Sequence, residues 1–576
     1  MAFNKKPSIK IKGNHECLIN WDQIGAELRK KVRSATPSVV VIECYQGVFI
    51  DDIVKGLCNF MQFDQIIYAD TVMKTTEEIE EMTYPDVTDD RVFGYLSRLN
   101  IDDFLDDHKL SEQRASISEL SGISLIIGHG ASLICEDPGV LVYADMARWE
   151  IQKRMRENKI QNLGLNNNSE KTEVQYKRAF FVDWRACDRL KKKLRSKIDF
   201  WLDTNGTEPK MLTKDTYEES LRQGINQPFS LVPFFDPGPW GGQWMRDKFE
   251  LDSDPENFAW CFNCVPEENS LLLQFGEVIF ETPSINLVFF HPKELMGASV
   301  YSRFGDEFPI RFDFLDTMNG GNLSLQVHPL TEYIQEKFGM HYTQDESYYL
   351  LDAKPGAQVY LGLKNDVDKT QMFSELREAQ EGKPFDADKY VATWEARKHD
   401  HFLIPAGTIH CSGNDSMVLE ISATPYIFTF KLWDWGRLGI DGKPRPINVD
   451  HGENVIQMDR TVDWVKKELV NNIVELETGD GWREERTGLH DTEFIETRRH
   501  WFTKPVTHFT YGTVNVLNLV EGEQAVVESP TGDFDPFIVH YSETFVVPAN
   551  VVSYTIRPHG ASEGSEIATL KAYVRT

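Results

Sequence analysis

The chain has 576 residues, 41% hydrophobic and 26% charged, with a formal net charge of −29. That length exceeds what one core supports, and the composition is that of a folded globular protein rather than a disordered one. The strong acidity disfavours nucleic acid and anionic membranes as partners, so a phosphate-bearing ligand needs a local group of cations. No stretch approaches the roughly 20 consecutive apolar residues a bilayer span requires, since even Ser124-Leu-Ile-Ile127 runs into Gly128-His-Gly130.

The first third alternates strand-like and helix-like runs. Ser38-Val-Val-Val-Ile42 leads into a helical pattern from Asp51 to Phe60, and Gln65-Ile-Ile-Tyr68 follows. Then come Ile123-Ser-Leu-Ile-Ile127 and Val140-Leu-Val-Tyr143, with an amphipathic pattern from Met146 to Asn158. This rhythm predicts an α/β domain with a mostly parallel sheet over 1–215. Leu165 to Lys171 reads as a loop, and Lys- and Arg-rich helices are predicted over roughly 185–202. Lys191-Lys-Lys-Leu-Arg195 is read as a solvated helix face. The arrangement resembles P-loop nucleoside kinases, but Glu43-Cys-Tyr-Gln-Gly-Val-Phe-Ile-Asp51 stands where a phosphate loop would carry lysine and a hydroxyl. The expected module is therefore a degenerate kinase-like one.

Between about 205 and 230 turn chemistry marks a boundary: Asn205-Gly-Thr-Glu-Pro209, then Pro228. From Phe235 onward short strands are spaced by Gly, Pro, Asn and Asp, with helical insertions near 331–338 and 371–380, the rhythm of jelly rolls. Two barrels are expected, over 230–450 and 451–576. Phe402-Leu-Ile-Pro-Ala-Gly-Thr-Ile-His410 is echoed by Phe545-Val-Val-Pro-Ala-Asn-Val-Val-Ser553, which puts Ser553 where His410 stands and leaves the second barrel without that ligand. Cys261-Phe-Asn-Cys264 has no second pair and is read as packing, as is Cys411. The eight cysteines form no disulfide framework, and Met1-Ala-Phe-Asn-Lys-Lys6 has no apolar run of a signal peptide. A reducing cytoplasm is the expected compartment.

In Asn322-Leu-Ser-Leu-Gln-Val-His-Pro329, strand alternation sends Gln326 and His328 to one face with Asn322 and Ser324. The turn at Pro405 and Gly407 can deliver His410 to that pair. Glu346 shares a strand face with Tyr348, Leu350 and Asp352 and is the natural fourth ligand. Two imidazoles, a carboxylate and an amide oxygen suit Zn²⁺ or another borderline dication.

Leu325-Gln-Val-His-Pro329, Glu346 before Tyr348-Tyr349, Pro405-Ala-Gly-Thr-Ile-His410 and Lys431-Leu-Trp-Asp-Trp-Gly-Arg437 together resemble the type I phosphomannose isomerases. So do Pro239-Trp-Gly-Gly242 and Phe308-Pro-Ile-Arg-Phe-Asp-Phe-Leu-Asp316. Those are zinc-dependent cupin enzymes that interconvert mannose 6-phosphate and fructose 6-phosphate. The resemblance implies metal ligands at Gln326, His328, Glu346 and His410, and a small phosphorylated sugar as substrate. Pro405-x-Gly-x-x-His-x-x-x-Asn414 also matches the general second cupin motif. Two departures bear on substrate: Lys431 replaces the family's arginine, and Leu330-Thr331 replaces its Asp-Asp. Glu420 is the candidate general base or orienting group, with Lys431 or Arg437 stabilising an enediolate or phosphate. Asp434 is expected to hold Arg437, and Arg303 and Lys337 are further candidate phosphate contacts. The rival reading is a sugar-phosphate sensor without turnover.

Overall fold

In the computed structural model, residues 3–33, 35, 38–117, 122–423, 427–438, 444–488 and 490–576 are described. The chain is multidomain and divides into two compact units. One comprises Ser8–Gly224 together with Glu267–Phe290; the other comprises residues 3–7, Ile225–Pro266 and His291–Thr576.

The first unit is built on a seven-stranded sheet. Val39–Cys44 is fully buried on both faces, as its run of β-branched residues requires of a central parallel strand. It lies between Ser124–Gly128 and Val140–Asp145, with Gln65–Tyr68 beyond the former and Phe200–Asp203 beyond the latter, all parallel. Lys210–Thr213 and then Leu18–Ile19 add antiparallel at one edge. The helix Ile50–Cys58 turns Ile53, Val54 and Leu57 inward at helical spacing.

Two features differ from the sequence expectation. Within the predicted helical span 185–202, helix Trp184–Leu194 ends early and Phe200-Trp-Leu-Asp203 is a buried parallel strand. Four residues between basic helical sequence and Thr204-Asn-Gly are too short a run for periodicity to separate from helix. Residues 267–290 lie inside the predicted barrel segment but fold with the α/β unit. The hairpin Ser270–Phe275/Val278–Pro283 pairs in parallel with Ile9–Lys10. Asn286 donates to Asp145, which also takes the buried Lys191 ammonium at 3.0 Å. Lys191 is thus a core cation, whereas Lys192 and Lys193 stay outside the buried set of this helix.

In the second unit, a six-stranded sheet runs in the order His401–Ile404, Glu346–Ala353, Ser416–Ala423, Ile310–Asp316, Trp260–Cys264, Phe234–Asp236. A five-stranded sheet runs Val391–Glu395, Gln358–Leu363, His410–Ser412, Leu325–Val327, Phe430–Trp433. All the pairings in both are antiparallel. Thr331–Phe338 and Lys369–Gln380 are helices. Downstream, sheets of six and four strands from Val474 to Val574 enclose an apolar core that includes Phe502, Leu517, Leu519, Val527, Phe545 and Ile556. Cys261 and Cys264 are both buried in one strand, and burial pushes the Cys261 thiol well up. Among the described residues no helix is long and apolar enough to cross a membrane.

Candidate metal centre

Cross-strand register builds the site. In an antiparallel ladder, directly opposed residues put their side chains on the same face. Gln326 is opposed by His410 on one side and by Lys431 on the other, so these three form a row across the five-stranded sheet. In the six-stranded sheet, Tyr348, Glu420 and Asp313 form one row, and Glu346, Ser422 and Arg311 form the next. A bulge between Leu350 and Asp352 shifts the register, pairing Leu350 with Val418 but Asp352 with Met417. Asp352 therefore leaves the face predicted for it, and accepts a hydrogen bond from the Trp244 indole at 2.8 Å.

The turn before His410 is held from three directions. Gly407 has φ +86°, and a Cβ there would sit 2.8 to 3.0 Å from Gln457, Leu330 and the Val455 carbonyl, so glycine is required. Its N–H donates to the His328 carbonyl at 2.9 Å, tying the turn to the strand that bears the other ligands. The Arg460 guanidinium donates to the carbonyls of Pro405 (2.7 Å) and Ala406 (2.6 Å) and to the Thr408 hydroxyl. Sequence reasoning missed Arg460, which lies fifty residues downstream with no motif around it.

His328, Glu346 and His410 bring one ligand atom each to within 4.8 Å of one another, and all three are buried. Glu346 Oε1 is 2.7 Å from His410 Nε2, and its Oε2 is 3.0 Å from His328 Nε2. Both imidazoles have Nδ1 beside a backbone carbonyl, Phe428 O at 3.2 Å and Thr408 O at 2.8 Å. A carbonyl can only accept, so each Nδ1 carries the proton and each Nε2 directs a lone pair into the cluster. The buried His328 Nε2 and Glu346 Oε1 have no hydrogen-bond partner. Two imidazole lone pairs turned on a buried carboxylate repel one another unless positive charge lies among them, and this N/N/O set fits a borderline dication. The Gln326 side chain lies against His410 Nε2 at 3.2 Å, close enough to turn its amide oxygen inward as a fourth donor. Burial alone would raise the Glu346 carboxyl; where the imidazoles are instead protonated, their charge and hydrogen bonds outweigh burial and hold it well below the carboxylate range.

Beneath these ligands lies a second buried layer, of which sequence reasoning singled out only Glu420. Gln344 donates to Glu346 Oε2 at 2.9 Å and approaches Glu420 at 3.5 Å. Arg311 Nη2 lies 2.6 Å from Asp313 and 3.2 Å from Glu420, and the Ser422 hydroxyl donates to Glu420 at 2.9 Å. Glu420 thus has Arg311 as its ion-pair partner. Burial, with Glu346 and Asp313 adding repulsion, pushes the Glu420 carboxyl well up. Asp313 is pushed to about 6, mainly by burial.

The four predicted cations separate. Arg303 stacks on Phe304 and Phe494, at 5.1 and 4.8 Å from the ring centroids, and Lys337 is an exposed side chain paired with Glu336. Arg437 donates to Asp434 at 2.7 Å and to the Asn322 carbonyl, so Asp434 does hold Arg437. Lys431 faces the Gln326 row, and its ammonium has no hydrogen bond or ion pair among the described residues. Burial, then Arg445, lower its affinity for the proton.

Residues 20–226 match a domain family of unknown function, DUF8485. Part of the chain is similar to mannose-6-phosphate isomerases. It is 24% identical over 233 residues to mannose-6-phosphate isomerase ManA of Bacillus subtilis, covering 40% of this chain and 69% of that one. It is 25% identical over 221 residues to the mannose-6-phosphate isomerase of Streptococcus mutans, covering 38% and 64%. The crystal structure of the Bacillus subtilis mannose 6-phosphate isomerase superposes with a TM-score of 0.49 at 19% identity, covering 60% of this chain and 99% of that one. A zinc-bound mannose 6-phosphate isomerase gives 0.45 at 12% identity, covering 61% and 100%. About 40% of the chain is thus homologous, at low identity, to mannose-6-phosphate isomerases.

Proposed function

We propose that the protein is a metal-dependent aldose–ketose isomerase acting on a small phosphorylated sugar, with mannose 6-phosphate and fructose 6-phosphate as its pair. The observation that carries this reading is the convergence of His328, Glu346 and His410, with Gln326 alongside, on one buried point. Zn²⁺ is the proposed ion; when bound it supplies positive charge beside the substrate's carbonyl oxygen, where negative charge builds as an enediol forms.

The remaining work falls to the side chains. Glu420, whose raised proton affinity suits a group that both accepts and returns a proton, moves it between C1 and C2. Arg311 orients that carboxylate, and Gln344 keeps Glu346 and Glu420 apart by donating between them. Lys431 presents its unpaired ammonium to the anionic side of the substrate. A coupled assay for fructose 6-phosphate formed from mannose 6-phosphate tests this reading. Turnover that chelator abolishes and zinc restores is expected; no turnover with zinc bound would reject it.

A sensor without turnover is the second reading, and the half-buried lysine at 431 favours it, since a lone ammonium cannot grip an enediolate bidentately. We further read the α/β unit as a degenerate kinase-like module serving regulation or structure. Its strand order supports this, as does Glu43, whose buried carboxylate accepts from the Gly130 and Ser132 amides at 2.7 and 2.8 Å. We read the cytoplasm as its compartment.

A further inference from the structure

Next to the metal ligands, at the edge of the five-stranded sheet, stands a group of cations that metal binding does not use. Asp434 is buried, and its carboxylate organises the group. Oδ1 accepts from the Ser324 hydroxyl at 2.7 Å and from Arg437 at 2.7 Å, while Oδ2 accepts from Arg445 Nη1 at 2.9 Å. Ser324 precedes Gln326 by two residues, and Lys431 opposes Gln326 directly. Lys431 therefore stands in the row of Gln326 and His410, one strand spacing, about 4.8 Å, from Gln326, and the Asp434 group meets the same strand two residues away at Ser324. The group carries Lys431, Arg437 and Arg445 against the single charge of Asp434, a local excess in a protein whose net charge is −29.

The three cations are not equivalent. Arg437 turns inward, one nitrogen on Asp434 and another on the Asn322 carbonyl. Arg445 gives only Nη1 to Asp434; its other nitrogens have no partner among the described residues, and the side chain is 29% exposed. Among the described residues, the Lys431 ammonium has no hydrogen bond or ion pair. Arg445 is near enough to Lys431 for its charge to lower the proton affinity of that ammonium, and an ammonium with the open edge of a guanidinium offers a point charge and planar donors together, which is what a tetrahedral oxyanion needs.

We propose that Lys431 and Arg445 form an oxyanion clamp that takes the phosphate of the substrate, with Asp434 and Arg437 as its frame, a role that rests on reading the adjoining site as a sugar-phosphate isomerase. The clamp assigns the anion contact to Arg445 rather than to Arg437, Arg303 or Lys337. It makes the site selective for phosphorylated over plain sugars and open to competition by free phosphate.

Equilibrium binding of inorganic phosphate, mannose 6-phosphate and mannose to the full zinc-loaded chain tests this, with bound zinc measured on every sample. The wild type is expected to bind both phosphate-bearing ligands and mannose far more weakly. Arg445→Gln and Lys431→Gln should each weaken phosphate and mannose 6-phosphate by about tenfold or more with zinc unchanged. Arg445→Lys should recover part of that loss, and Lys337→Gln should change nothing. Wild-type phosphate affinity in Arg445→Gln with zinc retained would overturn the clamp, even in a protein that turns substrate over. Phosphate binding lost in the variants of a protein that shows no turnover would remove the isomerase reading and leave the clamp standing.

Discussion

Arg311 and Glu420 form an ion pair on the six-stranded sheet of the second unit, 3.2 Å apart and both buried, with Asp313 on the same guanidinium nitrogen at 2.6 Å. One cation thus serves two carboxylates in a medium where a bare charge is costly. Replacing Arg311 by Leu removes that compensation and leaves two buried acids against each other. The expected loss is about 3–5 kcal/mol of unfolding free energy, read from urea denaturation. A loss below about 1 kcal/mol would mean that the pair contributes little.

His410→Ala removes an imidazole from the centre of the cluster. Bound zinc should fall from one ion per chain to near none, by metal analysis after dialysis. Since an ion that binds only the folded state raises stability, chelator should lower the melting temperature of the wild type and leave that of the variant unmoved. An equal chelator effect on both would place the ion elsewhere.

Arg460→Ala tests whether the turn before His410 is held rather than self-supporting. Its guanidinium binds two consecutive carbonyls of that turn and the Thr408 hydroxyl. Loss of an outer support of this kind should weaken zinc by about 10- to 100-fold while leaving the far-ultraviolet dichroism unchanged. Unaltered zinc affinity would mean that Gly407 and the Thr408 hydroxyl suffice.

His401 is fully buried, and burial pushes its pKa down to about 3. The unfolded chain takes up a proton near pH 6.5, whereas the folded one resists until about pH 3. Between those values the unfolded state binds more protons, so stability falls as pH drops, by about 1.4 kcal/mol per pH unit for one full proton. His401→Phe should flatten the slope between pH 6 and pH 4 by about that amount, measured by urea unfolding across the range. A slope identical to that of the wild type would show that other groups set it.

The site's ligands were legible because each lies in a short local pattern. Gln326 and His328 share a face by strand alternation, and Pro405 with Gly407 signals the turn that carries His410. Glu346 heads a strand whose alternation holds as far as the bulge before Asp352. What supports them was not legible. Arg311 reaches Glu420 across 109 residues, and Arg460 reaches Thr408 across 52. Such partnerships come from pairing of strands distant in sequence and from a loop folding back, and no periodicity records them. Arg445 escaped for the same reason: only the folded chain shows that Arg437 spends its donors inward while Arg445 gives one nitrogen to Asp434 and, among the described residues, no more. The strand Phe200–Asp203 was lost to brevity, and residues 267–290 to the assumption that neighbours in sequence stay in one unit.

That last segment constrains how the chain can be divided. Leu271, Leu273 and Phe280 are buried in a unit whose other residues end at Gly224. A fragment starting at 225 would carry this apolar hairpin with nothing to cover it, and a fragment ending at 224 would lack two strands and the amide that meets Asp145. On a ribosome, the α/β unit cannot close until residue 290 has emerged, by which time the opening strands of the following barrel are already made.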